Sequence, residues 1–373
     1  MKIPLARPDI TEWEIEAVVN VMRSPYLSLG PKLEEFEVKL AEYVNVQYAV
    51  AVNSGTSALH LIIKALGIEE GDEVITTPFS FVASANCILF ERATPVFVDI
   101  DPLTWNIDTN FIGAKVTNKT KAILAVDVFG HPAEWDRLRE IAEEYDLRLI
   151  EDAAESLGAE YKGKKAGSLA DGAIFGFYPN KQITTGEGGA ILADDKEMVE
   201  LCRSLRNQGR SNGDAWLEHS RLGYNYRLSD INCALGIAQL ERLDELLTKR
   251  KRVAQLYSER LREIEDIDIP YVAPDVTKSW FVYVIRLHDI FDQEDRDNII
   301  KALKEKGIES SNYFGPIHLQ PFYRQMFGYQ EGNFPVTERI AARTIALPFY
   351  GNITEKEIDY VCDNLRRSVK SQR

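Results

Sequence analysis

The chain has 373 residues, 45% of them hydrophobic and 27% charged. That excludes a disordered, collagen-like or disulfide-stapled protein and allows two domains, or one large α/β core with an appendage. Its 44 Lys and Arg stand against 58 Asp and Glu, a net charge of −14, and such a surface repels a phosphate backbone, so nucleic acid is not an expected partner.

The opening MKIPLARPDITEWEIE has no apolar signal-like run. The longest uncharged stretch, 74–90, contains Pro78 and Asn86 and is too short and too polar to span a bilayer. No membrane association is expected. Cys87, Cys202, Cys233 and Cys362 form no CxxC pair, which suits a reducing compartment and no zinc ribbon. His60, His131, His219 and His288 show no metal-ligand spacing, so no metal site is expected, and a cytoplasmic protein is.

Short β-rich runs alternate with helical patterns, as in an α/β sheet. Strands are expected at 48–52, 73–77, 95–99, 121–126, 147–151, 172–177 and 189–193. Most are continuous apolar runs, which a mainly parallel sheet covered on both faces requires. Helices are expected at 56–66 and 133–145; in the first, Leu59, Ile62, Ile63 and Leu66 share one face. After Ser229 comes a long helical pattern carrying Ile231, Leu235, Leu243 and Leu246. A smaller α+β unit follows, with a strand at 280–287 and helices at 296–306 and 355–367. The expected division is a large α/β domain over 1–240 and a small C-terminal α+β domain over 241–373.

Four segments carry chemistry. In AVAVNSGTSALH (49–60) a strand runs through Gly55 into a helix near Thr56. The free N–H groups and positive dipole end of such a helix make a phosphate site, to which Thr56 or Ser57 adds a hydroxyl; the plainer reading is an N-cap. In TTPFSFVASAN (76–86), Phe79 and Phe81 follow a strand end and serve either as core or as a face for a planar ring. In LIEDAAESLG (149–158) an apolar strand ends in Glu151 and Asp152. Strand-end carboxylates often cap the next helix. If pyridoxal phosphate is present, Asp152 is the natural partner that keeps its ring nitrogen protonated, and Glu155 flanks the ring or faces substrate.

The fourth segment, GAIFGFYPNKQITTGEGGAILAD (172–194), places Lys181 just past a buried strand. Such a lysine is usually a solvated loop residue. Beside a glycine-rich turn that draws backbone close, a partly desolvated amine instead suits a Schiff base with an aldehyde.

In chain order these segments supply a phosphate cup, an aromatic face, a pyridinium carboxylate and a Schiff-base lysine. Together with LGPKLEEFE (29–37), PVFVDID (95–101), LGYNYRLSDINCALGIAQL (222–240) and HLQPFY (318–323), they resemble the DegT/DnrJ/StrS-type nucleotide-sugar aminotransferases along nearly the whole chain. The resemblance implies a fold type I pyridoxal phosphate enzyme with Lys181 holding the cofactor and Asp152 pairing with its ring nitrogen. It implies Phe81 against the ring, and Gly55 and Thr56 at the phosphate. It further implies a homodimer with shared active sites, in which Asn225 reaches the partner's phosphate and Arg227 lies near substrate phosphates. Tyr313 and His318 are implied to contact substrate. One departure is visible. Gly176 stands five residues before the lysine, where many members have a phosphate-binding serine.

The implied reaction moves the amino group of L-glutamate to a keto group, by wording at carbon 4, of a nucleotide-linked keto-deoxy-hexose. Alternatives are amination at carbon 3, another enzyme of the same fold, or a non-catalytic cofactor-binding sensor. Lys181 argues against the sugar 3-dehydratases, which carry histidine there.

Overall fold

The computed structural model describes residues 1–211, 213, 215 and 218–373. Its main sheet has seven strands: β1 (Tyr48–Val52), β2 (Glu73–Thr76), β3 (Thr94–Phe97), β4 (Thr120–Val126), β5 (Arg148–Asp152), β6 (Gly172–Gly176) and β7 (Gly189–Ala193). Their spatial order is β1-β7-β6-β5-β4-β2-β3. The pairs among β2, β3, β4, β5 and β6 are parallel, and β7 runs antiparallel to both its neighbours.

Alternate residues of each strand enter different cores. Val50, Val52, Leu124, Ile150, Ile174 and Ile191 pack on one face with the helix Gly55–Ala65. Ala49, Ala51, Ile123, Leu149, Phe175 and Leu192 pack on the other. Burial on both faces is why these strands read as unbroken apolar runs. Parallel neighbours need long crossovers, whereas β6 and β7 are antiparallel and are joined directly by a loop. That loop carries Lys181.

A second sheet has three strands, Ile267–Asp268, Tyr283–Leu287 and Thr344–Leu347, with Tyr283–Leu287 in the middle. The helices Leu243–Leu261, Gln293–Glu305 and Glu355–Ser371 contribute to its core, and so does Ile3 from the N-terminal segment. The expected long helix after Ser229 is two helices, Asp230–Glu241 and Leu243–Leu261, broken at Arg242. Arg242 is drawn aside by ion pairs to Asp9, Glu14 and Glu245. The second of these helices spans two cores: Leu243 and Leu246 pack under the large sheet, Val253, Tyr257 and Leu261 under the small one.

Candidate active site

The carboxyl ends of β1, β2, β4, β5 and β6 lie on one edge of the sheet, together with the start of β7. Open α/β sheets bind ligands at that edge. A cavity of about 740 Å³ is lined there by residues at or just after each of these strand ends. Asp152 is the last residue of β5; that strand starts one residue later than expected, because the preceding helix closes on Asp146 in the left-handed conformation. Asp152 Oδ2 accepts from Ser84 Oγ at 2.7 Å and Oδ1 from Ala154 N at 3.2 Å. Ser80 Oγ lies 2.9 Å from Ser84 Oγ and extends the chain into the cavity. Burial pushes the Asp152 carboxyl upward against the Ser84 hydrogen bond. A cation brought beside it favours the charged form again.

Lys181 follows β6 in a turn closed by its own N–H on the Tyr178 carbonyl. Thr184 Oγ1 donates to the Phe177 carbonyl at 2.9 Å, and Gly186 (φ +82°) turns the chain towards β7. Lys181 Nζ stands 3.6 Å from Glu155 Oε1 and 4.0 Å from the centre of the Phe281 ring. Glu155 is buried, and its Oε2 accepts from Phe129 N at 2.9 Å. Burial raises its carboxyl, and the Lys181 ammonium opposes that rise.

The helix Gly55–Ala65 points its N-terminus at the cavity, with Ser54, Gly55 and Thr56 in the lining. Ser54 caps it by accepting from Ser57 N at 3.0 Å, and Ser57 Oγ donates to Asn53 Oδ1. Ser57 is thus occupied within the cap, and Thr56 is the hydroxyl left facing the cavity. Of the two phenylalanines, Phe79 is core, whereas Phe81 is 62% exposed and lines the cavity. Tyr313 lines it too, stacked on Phe129 at 6.3 Å.

The cavity therefore gathers Gly55, Thr56, Phe81, Asp152, Glu155, Lys181 and Tyr313. It does not gather Asn225, Arg227 or His318. Asn225 is exposed, and its carbonyl accepts from Asn53 Nδ2 at 3.5 Å. Arg227 Nη1 donates to Asn207 Oδ1 at 3.1 Å. His318 is 0% exposed, packs edge-on against Phe334 at 4.7 Å and sits 3.0 Å from Glu338 Oε1. His318 lines no part of this cavity, and Phe334 and Glu338 close off its ring.

Sequence reasoning missed Ser84, Asn180 and Phe281. Ser84 and Asn180 carried a weak signal, a polar residue near a motif already singled out. Phe281 carried none, since it comes from the distant strand region beside the second sheet.

A sequence profile of the DegT/DnrJ/EryC1/StrS aminotransferase family matches residues 8–366. GDP-perosamine synthase of Caulobacter vibrioides is 39% identical over 363 residues, spanning 96% of each chain. Helicobacter pylori PseC, an aminotransferase of pseudoaminic acid biosynthesis, superimposes with a TM-score of 0.95 at 30% identity over 100% of both chains. Spr1654 of Streptococcus pneumoniae, solved in a PLP form, gives 0.95 and 30% over the same full coverage. On the profile match and on this identity along nearly the whole of both chains, the protein belongs to the DegT/DnrJ/EryC1/StrS aminotransferase family.

Proposed function

We propose that this protein is a pyridoxal phosphate-dependent sugar aminotransferase. It moves the amino group of L-glutamate to carbon 4 of a nucleotide-linked keto-deoxy-hexose, in amino-sugar biosynthesis for a surface glycan. One observation carries the reading: the amine of Lys181 and the carboxylate of Asp152 face a single cavity beside the free N-terminus of a helix. The residues fit that cofactor by their chemistry. A buried carboxylate suits a ring cation, an amine suits an aldehyde, helix N–H groups suit a phosphate, and Phe81 offers a ring face.

When bound, the cofactor supplies an aldehyde for the lysine and a ring that takes up the electron pair of a broken C–H bond. Asp152 holds the proton on the ring nitrogen, with Ser84 fixing its carboxylate. The Lys181 amine would take the proton from the donor's α-carbon. Glu155 balances the charge of that amine, and Phe281 keeps water off it. Gly55 and Thr56 anchor the phosphate.

Among the described lining residues Lys181 is the one cation, against Asp152, Glu155 and Glu187. A phosphate, a nucleotide diphosphate and the two carboxylates of glutamate all need positive partners. That shortfall supports a homodimer with shared active sites, in which exposed Asn225 and half-buried Arg227 serve the partner's cavity. The name of the Caulobacter relative supports a nucleotide-linked sugar, and the FYPNKQITTGEGG wording supports carbon 4. All four cysteines are buried, which disfavours a desulfurase, whose thiol must move to substrate.

Purified protein given pyridoxal phosphate should develop a visible absorbance band that L-glutamate shifts. Incubation with a panel of nucleotide-linked 3-keto and 4-keto hexoses, read by mass and NMR, should give a 4-amino product. A 3-amino product overturns the position; absence of any band overturns the enzyme.

A further inference from the structure

We infer that Arg250, a residue outside the cavity lining, is a positioning residue for Lys181: its guanidinium ties the main chain that carries the lysine to the main chain that carries Phe281, and so fixes where the amine stands. The inference rests on the reading of Lys181 as the cofactor lysine.

Arg250 lies on the helix Leu243–Leu261, between the residues that enter the large core and those that enter the small one. It is only 5% exposed. Nη2 donates to the Lys181 carbonyl at 2.6 Å and to the Asn180 carbonyl at 3.3 Å. Nη1 donates to the Phe281 carbonyl at 3.1 Å and to the Trp280 carbonyl at 3.4 Å. Its guanidinium carbon also lies 5.8 Å from the centre of the Phe349 ring. Among the described residues every hydrogen bond it makes goes to a main-chain carbonyl and none to a carboxylate.

A buried cation is ordinarily matched by a carboxylate, because carbonyl dipoles offset less of the lost hydration. Burial accordingly lowers the guanidinium to about 10, still charged at neutral pH. Asp9 opposes that fall without a direct hydrogen bond, and a charge held mainly by carbonyl dipoles is a poor device for stability alone. As a brace it has a use that a smaller group lacks, since the planar fork of arginine holds several acceptors at fixed angles. Asn180 and Lys181 lie in the turn after β6 and have no strand neighbour there. The two chain segments that the fork joins also carry the amine and the ring that covers it, 4.0 Å apart.

The test separates binding through Lys181 from binding in general. Pyridoxal phosphate has the aldehyde that bonds to the lysine; pyridoxamine phosphate lacks it and uses only the rest of the cavity. Each is titrated into wild-type and Arg250→Met apoprotein and followed by absorbance and by calorimetry. We expect the dissociation constant of the aldehyde to rise about tenfold or more, as loss of charged hydrogen bonds of this kind implies, while that of the amine changes less than about twofold. The pH midpoint of the aldehyde's band should shift as well. Equal weakening of both ligands, or of neither, overturns the inference. If Arg250→Met does not fold, Arg250→Lys carries the test, because lysine keeps the charge but not the fork. It should show the same split, reduced to about threefold, and an unsplit result overturns the inference equally. A wild-type protein that forms no band refutes the functional reading itself, an outcome distinct from a wild-type band that Arg250 variants leave untouched.

Discussion

Asp152 is gripped from two sides, by Ser84 Oγ and Ala154 N, so its carboxylate cannot turn from the cavity without breaking both contacts. Asp152→Asn keeps the shape and removes the charge. Turnover should fall on the order of 10³-fold, the scale of a lost preorganised electrostatic partner, with cofactor affinity falling much less. A loss of only a few-fold in steady-state assays would assign the ring nitrogen to another residue. Ser84→Ala should cost about tenfold or less, since Ala154 N still holds one oxygen. Lys181→Ala should abolish turnover and the cofactor band together. His318 belongs to a different class. Its Nε2 pairs with Glu338 inside an aromatic cluster containing Phe334 and Tyr329, and burial keeps its ring below the ordinary histidine range. His318→Ala should lower stability by about 2–4 kcal/mol in denaturant titrations and leave turnover per folded molecule nearly unchanged. A fall in turnover at full folding would restore it to the site. In a bare sequence, His318 in an aromatic segment reads as core, and it was the family resemblance that implied a substrate contact. Which way a ring faces depends on residues far along the chain.

At the scale of elements, the β6–β7 loop and the entry to the helix Gly55–Ala65 fit together through two glycines with different demands. A Cβ on Gly189 would stand 2.5 Å from the Ser54 carbonyl carbon and 2.6 Å from Gly55 N, both main-chain atoms. Gly189→Ala should therefore push β7 off β1 and lower stability by about 1–3 kcal/mol, with loss of the cofactor band before global unfolding on heating. A variant as stable as wild type would show that the close approach is not needed. A Cβ on Gly176 would meet Ala154 Cβ at an ordinary 3.5 Å. Gly176→Ser should fold normally and tighten cofactor binding several-fold by returning a hydroxyl to the phosphate end, measurable by equilibrium dialysis; unchanged or weaker binding would show that Thr56 and the helix end already satisfy it. The seven strands of the main sheet were legible, because burial on both faces leaves an apolar run whose length sets the element, whereas Thr344–Leu347 of the second sheet was not expected. The helix break at Arg242 was not, because it follows from ion pairs to Asp9 and Glu14, which the periodicity of residues 230–247 does not encode.

At the scale of the molecule, the proposed shared-site dimer makes a sharp prediction. Lys181→Ala and Asn225→Ala subunits, each inactive alone, should regain activity on mixing, because one site of each heterodimer carries neither lesion. No recovery, with subunit exchange shown independently, would place Asn225 away from the partner's phosphate. The pH response of stability has an origin outside the active site. His131 is 2% exposed; its Nδ1 faces the Pro132 carbonyl at 2.8 Å and its Nε2 accepts from Ala273 N at 3.1 Å, which fixes a neutral ring. Burial, helped by Lys278, lowers it from 6.5 to about 4. The unfolded ring takes up a proton below 6.5 while the folded one resists to about 4. This contribution, about 3 kcal/mol, is therefore present above the unfolded value and lost as pH falls across that window. Asp127, raised by burial to about 6 from 3.8, acts in the opposite sense, adding stability as pH falls. In an NMR titration the His131 ring signals should stay flat down to about pH 5; a midpoint near the ordinary histidine value would refute the assignment.

The sequence by itself determined the strand–helix alternation and singled out Lys181, Asp152, Gly55, Thr56 and Glu155, which the fold brings to one cavity. Each of these is written locally, in an apolar run followed by a turn residue and a functional side chain, so reading along the chain suffices. The family resemblance already picked Phe81 over Phe79 and Thr56 over Ser57, and the geometry agrees; only the tertiary structure decided that His318 turns inward. It alone brought Phe281 over the lysine and Arg250 beneath it, across 100 and 69 residues of chain. Contacts of that kind arise when separate elements pack. Their partners share no local pattern, and the physical reason for each lies in space that the chain encloses only once it has folded.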